Sequence, residues 1–483
     1  MGSNTFSILI SITAGLGGLL FGYEIGVIGQ VLQIQNFIDT FGTADQNTNA
    51  WVASLFQLGC VFGAAAFSIL ADTLGRKRSI IVSGTIFALG GVLQAVGSSL
   101  ALLLVGRLVS GFAIGIASMV VPVYLAETAS TSQRGMITVI YQLMITIGIL
   151  IAAIVNTIII EASGGVDAGK DWPWRLCMGI QAVPSVFLII LVSFIPFSPR
   201  WLAEKGRHDE GLETVAKLRG LTSSDAAAIE EYQLIKDNAE YEATVGNAGW
   251  GEVFSGSNRR RVAIGMVNQA FQQLTGINVI LYFGPTLYKN LGFSATVSTE
   301  IMPIVFDFIN SVCTFPGMYG IDKFGRRPLL QWGAVGMAVA HFCVFFSGQA
   351  AVDQGSSSLG GLALFFVAVF YFFFASTWGP VVWSYQSEIF PLRVRAKGTA
   401  ICTMTNWGAG FIITWAFPQV QSALQTKSDV YWIFFSFCVA MGVWTYFAVP
   451  ETKGLSLEEI GAVFGDKTVT SANPEIVKSD TKA

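Results

Sequence analysis

Two stretches of this sequence, Asp72-Thr-Leu-Gly-Arg76 and Asp322-Lys-Phe-Gly-Arg326, share the pattern Asp-x-x-Gly-Arg and decide the fold. Each stretch lies in a short polar gap between two long apolar runs. A second pattern also occurs twice, as Tyr124-x-x-Glu127 and as Tyr385-x-x-Glu388. Because both patterns recur in the same order, we predict a chain of two related halves with matched loops.

The composition of the 483 residues is typical of an integral membrane protein. Hydrophobic residues make up 53% of the chain and charged residues only 12%, which is about half the charged fraction of soluble proteins. Many apolar runs reach the ~20 residues that a helix needs to cross a bilayer. The net charge of -3 gives no reason to expect nucleic acid binding. All six cysteines lie in apolar runs, which argues against an extracellular disulfide framework.

We predict an all-α membrane fold with twelve transmembrane helices in two pseudo-symmetric halves. The predicted spans cover residues 7–33, 51–71, 79–97, 100–123, 136–160, 174–196, 261–286, 298–320, 329–350, 359–386, 398–420 and 430–449. The polar insert between spans six and seven has the pattern of short amphipathic helices. The expected domains are a six-helix half at 1–196, a helical linker at 197–260, a second six-helix half at 261–449 and a tail at 450–483.

The loop charges predict the orientation of the chain. By the positive-inside rule, the loops that are rich in Lys and Arg face the cytoplasm. Most loop cations fall on one side, together with both termini. Only Lys170, Arg175, Lys289 and Lys427 fall opposite. We therefore expect both termini, the linker and the tail to be cytoplasmic. We expect the membrane to be the plasma membrane, since no targeting sequence for an organelle is evident.

Five motifs follow one another along the chain: Gly75-Arg-Lys-Arg78, Pro196-Phe-Ser-Pro-Arg-Trp-Leu202, Gln272-Gln-Leu-Thr-Gly-Ile-Asn278, Gly325-Arg-Arg327 and Pro450-Glu-Thr-Lys-Gly454. Together they resemble the signature set of the sugar porters of the major facilitator superfamily, in wording closest to fungal and plant-type monosaccharide transporters. The resemblance covers about residues 10–460. It implies transport of a monosaccharide by alternating access, with the substrate between the two halves near the middle of the membrane.

A polar face on span seven is the clearest local sign of a substrate site. Gln269, Gln272, Gln273 and Gly276 follow the spacing of one helix face. Glutamine amides both donate and accept hydrogen bonds, which suits sugar hydroxyls. Gly276 and the following Asn278 predict a broken helix that lines a cavity. The alternative is that these side chains only hold helices together within the bundle.

The resemblance implies further substrate-binding residues on other spans. Amides would bind the hydroxyls of a sugar and aromatic rings its C–H face. Span ten is expected to break at Gly379-Pro380. For Phe21, Trp407 and Tyr282, ordinary helix packing stays open as an alternative. The implied substrate-binding set is Phe21, Gln142, Gln272, Gln273, Asn278, Asn310, Trp383, Asn406 and Trp407.

Two ionisable residues within the spans are the candidates for proton coupling, since such residues are functional by default. By the resemblance, Glu24 in span one lies where proton-coupled sugar porters carry an acid, and Arg107 in span four matches its partner. Burial favours a neutral carboxyl, whereas a guanidinium favours the carboxylate. We predict that Glu24 takes up a proton, releases Arg107 and so allows sugar binding. Facilitative uniport is the alternative, because some related facilitators also keep an acid here.

Two other titratable residues within the spans are expected to be structural. Asp307 lies one helical turn from Asn310, and we expect its carboxyl to be hydrogen-bonded within the bundle. A second proton site is the alternative for Asp307. We expect His341 to be a packing or interfacial residue.

Charged residues on the cytoplasmic side recur in both halves. The resemblance implies a salt-bridge network that holds this side shut while the other is open. Since an exposed ion pair contributes only ~0.2–1 kcal/mol, the latch depends on a shared network. The alternative is that these residues are positive-inside anchors. The predicted gate consists of Asp72, Arg76, Glu127, Arg134, Asp322, Arg326, Glu388 and Arg395.

The sequence thus predicts a transporter of a monosaccharide, a hexose such as glucose, and not an enzyme. No nucleotide-binding loop, metal cluster or catalytic triad is evident in the sequence. We expect no cofactor apart from the coupling proton, and no partners beyond the sugar and the lipid bilayer. A transporter-like sugar sensor is a second class, against which the short polar tail argues. A channel is a third class, but no repeat of backbone carbonyls or charged rings that would line a pore is evident in the sequence.

Overall fold

The computed structural model describes residues 3–129, 134–245, 249–424, 426, 428–455 and 457–466. Lys427 and the tail from 467 onward therefore lie outside the described residues. The side chains of Asp72 and Arg134, two predicted gate residues, also lie outside the described part, although their backbones fall within helices.

The described chain forms eleven helices up to the end of the linker. These helices are α1 (Ser3–Val31), α2 (Gln35–Phe41), α3 (Gln46–Val96), α4 (Leu100–Thr128), α5 (Arg134–Ser163), α6 (Trp172–Gly179), α7 (Ala182–Phe194), α8 (Pro199–Glu204), α9 (His208–Arg219), α10 (Ala226–Val245) and α11 (Trp250–Val253). Helix α2 lies between spans one and two, α3 contains spans two and three, and α6 with α7 forms span six. Helices α8 to α11 belong to the linker.

Spans seven to twelve are built from the remaining helices. These helices are α12 (Asn258–Leu274), α13 (Ile277–Asn290), α14 (Met302–Lys323), α15 (Arg326–Gln354), α16 (Ser357–Phe373), α17 (Gly379–Glu388), α18 (Leu392–Ala423), α19 (Asp429–Ala448) and α20 (Leu457–Val463). Two π-helical turns, Val297–Ile301 and Phe374–Trp378, precede α14 and α17. Span seven is α12 with α13, and span ten is α16, the π-helical turn and α17. The twelve predicted spans are therefore present.

Spans seven and eleven differ from the others in polarity. Ten helical segments of the described chain are long and apolar enough to cross a membrane, and they include neither α12, α13 nor α18. Span seven is divided into helices of 17 and 14 residues. Span eleven lies within α18, which has 32 residues. This helix is long enough to cross a membrane, but it contains the buried polar residues Thr403, Asn406 and Thr414. A helix that buries polar side chains in a bilayer needs partners for them within the bundle.

Two glycines make corresponding turns in the two halves. Gly75 has φ 79° between spans two and three, and Gly325 has φ 96° between spans eight and nine, conformations that favour glycine. A Cβ atom on Gly75 would lie 2.6 Å from the Trp201 ring, and one on Gly325 would lie 2.7 Å from the Glu451 carboxylate. The motifs that begin at Pro196 and Pro450 therefore pack directly over the two Gly-Arg turns.

We call the face of the molecule that carries these two turns the basic face, and the other the opposite face. Spans two and four approach each other closely within the first half, since a Cβ on Gly111 would lie 2.0 Å from the Phe56 carbonyl oxygen. Span one packs in the same way against span five, through Gly22 and the backbone of Ile145. These backbone contacts make the first half a tightly packed unit.

Candidate substrate and coupling sites

Five amide side chains from spans seven and eleven form one hydrogen-bonded cluster. Asn406 Nδ2 donates to Oε1 of Gln269 and to Oε1 of Gln272, at 2.6 Å each, and its Oδ1 accepts from Gln273 Nε2 at 2.9 Å. Asn278 Nδ2 donates to Gln273 Oε1 at 2.5 Å. All five side chains are buried. Because each amide can donate and accept, the cluster can exchange these bonds for the hydroxyls of a bound polyol. We call it the amide cluster.

The predicted break in span seven is present at Gly276. Its φ of 86° ends the regular helix, and a Cβ there would lie 2.8 Å from the Phe434 ring. His341 Nε2 donates to the carbonyl of Thr275 at 3.0 Å. The buried imidazole therefore binds a carbonyl at the break, which agrees with a packing role for His341.

Span ten differs from the prediction. The helix does not break at Gly379-Pro380, because the π-helical turn Phe374–Trp378 continues directly into α17. Pro380 is the second residue of α17, so the proline lies within a continuous helical segment and not at a break. Gln272 Nε2 donates to the carbonyls of Trp378 and Gly379 at 2.9 and 3.1 Å. The π-helical turn is therefore tied to the amide cluster.

Aromatic side chains from both halves meet beside the amide cluster. The ring centroid of Trp407 lies 5.0 Å from that of Phe21 on span one and 6.0 Å from that of Phe56 on span two. Trp407 is buried, and its indole N–H has no hydrogen-bond partner among the described residues. Tyr282 of span seven is also buried, and its hydroxyl lies beside the side chain of Gln57. Buried donors without partners suit a site that binds a polar ligand.

The other predicted substrate-binding residues lie at different distances from the amide cluster. Gln142 of span five approaches span ten, with its Nε2 3.6 Å from the place of a Cβ on Gly379. Trp383 lies one helical turn further along α17 and is half-buried. Asn310 is buried on span eight, but its side chain makes no hydrogen bond to the cluster within the described part of the chain. The structure thus brings together spans five, seven, ten and eleven, while Asn310 makes no direct hydrogen bond to the described amide cluster.

The sequence analysis missed Gln57 of span two. Gln57 is fully buried, and its amide lies beside the hydroxyl of Tyr282 on span seven. Its Nε2 and the Oε1 of Gln273 each lie 3.1 Å from the place that a Cβ on Gly410 would occupy. Gln57 therefore faces the amide cluster from the first half. The sequence signal that could have identified Gln57 is its position as the single glutamine within the apolar span two.

The two candidates for proton coupling form an ion pair inside the first half. Arg107 Nη1 lies 3.2 Å from Glu24 Oε1, and both side chains are completely buried. Gln94 Nε2 lies 3.4 Å from the same carboxylate oxygen, and Arg107 Nη2 donates to the Ala53 carbonyl at 3.3 Å. Gln181 also lies beside the Glu24 carboxylate, whereas Arg107 Nε has no partner within the described chain. This pair is therefore incompletely satisfied, and such pairs are weak sources of stability.

Aromatic rings connect the ion pair to the amide cluster. The Arg107 guanidinium lies 5.9 Å from the ring centroid of Phe56, which also contacts Trp407. Phe21 precedes Glu24 by one helical turn and contacts the same tryptophan. A rearrangement of the ion pair would therefore be transmitted to Trp407 through the rings of Phe56 and Phe21.

On the basic face, the first half contains a compact charged group. Arg76 Nη2 lies 2.8 Å from Glu127 Oε1, and Ser198 Oγ donates to the other oxygen of this carboxylate at 2.5 Å. Glu204 of the linker lies 3.3 Å from Arg76. Burial raises the pKa of Glu204 above its ordinary value, and Arg76 opposes this effect.

The second half repeats this arrangement. Arg326 Nη2 lies 2.6 Å from Glu388 Oε1, and Thr452 Oγ1 donates to the other carboxylate oxygen at 2.7 Å. Glu451 accepts from the backbone N–H of Arg326 at 3.0 Å. Asp322 lies 3.8 Å from Arg326 and is largely exposed. The described ion pairs Arg76–Glu127 and Arg326–Glu388 thus each lie within one half, and Arg395 Nε donates to the carbonyl of Phe390.

On the opposite face, hydrogen bonds join the two halves. Gln33 of span one donates to Thr286 Oγ1 at 3.1 Å and accepts from Lys289 Nζ at 2.9 Å. Gln30 Nε2 donates to the carbonyl of Thr299 at 2.8 Å. A Cβ on Gly29 would lie 2.6 Å from the carbonyl oxygen of Leu281. The halves are therefore in close contact at this face.

Comparisons with known proteins agree with this architecture. A family model described as "Sugar (and other) transporter" matches residues 10–464. The probable glucose transporter rco-3 of Neurospora crassa is 32% identical over 483 residues, which cover 96% of this chain and 80% of that protein. The arabinose-proton symporter of Escherichia coli K12 is 36% identical over 460 residues, which cover 94% of this chain and 92% of that protein.

A solved structure has the same fold. The proton:xylose symporter XylE bound to 6-bromo-6-deoxy-D-glucose superimposes with a TM-score of 0.81 at 28% identity, covering 96% of this chain and 100% of that chain. The helical architecture with twelve spans is thus that of the major facilitator superfamily. From the family match and these relatives we conclude that the chain belongs to the sugar porter family of this superfamily, as a multi-pass membrane sugar transporter and not an enzyme.

Proposed function

We propose that the protein imports a monosaccharide, a hexose such as glucose, together with a proton. The observation that carries this proposal is the completely buried Glu24–Arg107 pair, which lies one helical turn from the aromatic wall of the substrate site. Two similar proteins bear names that include proton symport, for arabinose and for xylose, and another bears the name of a glucose transporter. The basic face would be cytoplasmic and the membrane the plasma membrane.

The substrate would bind between the halves, where the amide cluster faces Gln57 and Trp407. Sugar hydroxyls would replace hydrogen bonds that the amides now make to one another, and would also bind the amide of Gln57. The ring of Trp407 would pack against the apolar side of the sugar. Binding would therefore draw the second half towards the first, since each half provides part of the site.

Coupling would arise from two alternative states of Glu24. In the ionised state the carboxylate holds Arg107, which in turn contacts Phe56. Protonation removes the charge, weakens the ion pair and frees the guanidinium, so that the Phe56 and Phe21 rings can adjust to a bound sugar. When the basic face opens, the proton leaves and the pair forms again. The proposed coupling is electrostatic, and the proton is the only coupling species that it requires.

The charged groups on the basic face would act as the latch of the inner side. In the present structure the ion pairs Arg76–Glu127 and Arg326–Glu388 each lie within one half. We propose that the two groups approach one another when the basic face closes, and that their shared network then stabilises the closed state. Asp72, Arg134 and Arg395 are proposed members of this network.

Facilitative uniport is the second candidate function. The complete burial of both charges favours this function, because an ion pair that solvent does not reach can keep its charges and serve only as a structural element. In that case Glu24 would keep its charge throughout the transport cycle, and the flux would follow the sugar gradient alone.

Sugar uptake into proteoliposomes tests the two functions. Native protein should accumulate glucose or xylose above equilibrium when a proton gradient is imposed. Glu24→Gln should retain sugar exchange but lose accumulation, whereas Glu240→Gln, on an exposed linker helix, should behave as the native chain. Equilibration of the native protein that ignores the gradient would instead establish uniport.

A further inference from the structure

A small cavity lies between the two halves near the opposite face. Its volume is about 20 Å³, which is sufficient for about one water molecule. The residues that define it come from spans one, seven, eight and ten: Gly26, Gly29, Gln30, Tyr288, Asp307 and Tyr371. The cavity is therefore shared by the moving halves, on the side at which hydrogen bonds now join them.

The carboxyl of Asp307 lines this cavity without a protein partner. Asp307 is 5% exposed, and its side chain makes no hydrogen bond or ion pair within the described part of the chain. Its backbone carbonyl alone is used, as the acceptor for Ser311 Oγ. The sequence analysis expected the carboxyl to be hydrogen-bonded within the bundle, and the structure contradicts this expectation. The side chain faces the cavity instead of a donor from its own half.

Gln30 provides an unpaired acceptor on the other side of the same cavity. Its Nε2 donates to Thr157 Oγ1 at 2.9 Å and to the Thr299 carbonyl at 2.8 Å. Both bonds fix the orientation of the amide, and its Oε1 is buried without a partner among the described residues. A carboxylate would add a second acceptor to this cavity, whereas a neutral carboxyl has one O–H to donate.

The charged groups around the cavity are committed to other partners. On span one, Glu24 is paired with Arg107. On span seven, Lys289 binds Gln33 outside the cavity. The other titratable groups that line the cavity or lie at the adjoining helix ends are Tyr288 and Tyr371, with Glu161 at the end of span five and Glu300 at the start of span eight. Two are phenols and two are acids, so none supplies a cation to balance Asp307.

We propose that Asp307 is a second proton-binding site, which holds a proton while the opposite face is closed and releases it when that face opens. In the closed state an ionised Asp307 would be a buried charge without a cation to balance it, which is strongly unfavourable. The neutral carboxyl instead donates to Gln30 Oε1, directly or through one water molecule. Opening the face admits solvent, which stabilises the carboxylate.

This second site controls a gate and does not carry protons across the membrane. The proton is taken from, and returned to, the compartment on the opposite face, because the cavity opens only with that face. Acidic pH on that side therefore favours closure, and alkaline pH favours opening. The inference rests on the alternating access of a transporter and is independent of whether Glu24 couples transport.

Hydrogen–deuterium exchange of the full chain in lipid nanodiscs tests this proposal. The readout is the exchange of peptides that cover residues 26–34 and 297–307 between pH 5.5 and 8, corrected for the intrinsic pH dependence of exchange. In the native chain the corrected rate should rise with pH, approaching about tenfold per pH unit where Asp307 titrates. Peptides from the linker helix α10 serve as an internal control, with no such rise.

Two neutral variants of different size, Asp307→Asn and Asp307→Ser, separate a proton site from a structural role. Either variant, once shown to be folded by its melting temperature, should keep the slow exchange of the native chain at low pH over the whole range. Asp307→Glu should restore the pH dependence, and Glu24→Gln should leave it intact. A folded neutral variant whose exchange rises with pH as the native chain does would overturn the proposal. A native chain without any rise would do the same.

Discussion

The two halves have the same six-span scaffold but contain different chemistry. The first half buries an ion pair, Glu24–Arg107, within spans one and four. The second half buries amides on spans seven and eleven, with Asn406 at their centre. The corresponding Gly-Arg turns and their acidic partners on the basic face show that the scaffold was repeated. The difference teaches that the buried charges and the amide cluster lie in separate halves, which meet where Trp407 contacts Phe21 and Phe56.

The largest expected effect is on the ion pair of the first half. Arg107→Met should destabilise the protein by about 3–5 kcal/mol, because it leaves Glu24 as an uncompensated buried charge. The double variant Arg107→Met/Glu24→Gln should recover most of this loss, since it removes both charges. The free energy of unfolding in detergent and the melting temperature measure the difference. A double variant as unstable as Arg107→Met would mean that the pair acts through packing rather than charge.

The amides of the second half are expected to determine sugar affinity rather than stability. Asn406→Ala removes the centre of the amide cluster and should weaken sugar binding by about 10- to 100-fold, as expected for the loss of buried hydrogen bonds worth about 1–3 kcal/mol. Binding is measured by calorimetry on purified protein. Ser422→Ala lies at the exposed end of the same helix and provides the control. Unchanged affinity in Asn406→Ala would remove the amide cluster from the substrate site.

A single substitution that adds a side chain should weaken the contact between the halves at the opposite face. Gly29→Val should favour opening of that face, because even a Cβ would lie 2.6 Å from the Leu281 carbonyl oxygen. We expect faster deuterium exchange in peptides that cover residues 26–34, by about fivefold or more, corresponding to about 1 kcal/mol. Gly361→Val is the control, because a Cβ there meets nothing within 4 Å. Equal exchange in the two variants would contradict the described contact.

A smaller effect is expected where the short helix α20 is held against the start of span seven on the basic face. Arg261 is buried and lies 2.6 Å from Asp466, just after α20. Hydrogen bonds from Arg261 lower the pKa of Asp466 below its ordinary value. The contact should therefore persist at neutral pH and be lost as the pH falls through this lowered pKa, because the carboxylate form makes the bonds.

Asp466→Asn tests this contact without a change of pH. The variant should increase deuterium exchange in residues 457–466 by a few fold, since a charge-assisted bond at a partly exposed site contributes about 1 kcal/mol. Asp353→Asn, in an exposed position at the end of α15, serves as the control. Sugar uptake should be nearly unchanged in both variants. A large loss of uptake in Asp466→Asn would assign the helix a role in transport.

The sequence predicted most of the scaffold because its signals are local. Apolar length defined the spans, and Gly276 followed by Asn278 defined the break in span seven. The π-helical turn before Gly379 was not predictable, since Phe374–Trp378 contains no residue that requires it. Its position depends on contacts with span seven, which the sequence of span ten does not contain.

The substrate site was predicted in part for a similar physical reason. A face with several glutamines stands out in an apolar helix, whereas Gln57 is a single polar residue whose importance depends on its neighbours across the interface. Asp307 was expected to be bonded within the bundle, because a buried carboxylate usually has a partner. Only the three-dimensional arrangement shows that it faces a cavity between the halves. Which face is closed is likewise a property of the assembled halves and not of any segment.

The most direct test of the proposed coupling is the pH dependence of the sugar dissociation constant. It should be measured in an Asp307→Asn background, so that Glu24 is the titrating group of interest. If protonation of Glu24 is required for binding, the dissociation constant should rise by up to about tenfold per pH unit above the pH at which Glu24 titrates. Adding Glu24→Gln should abolish the dependence and keep the affinity near its acidic limit. A dissociation constant that is independent of pH while Glu24 is present would contradict the account.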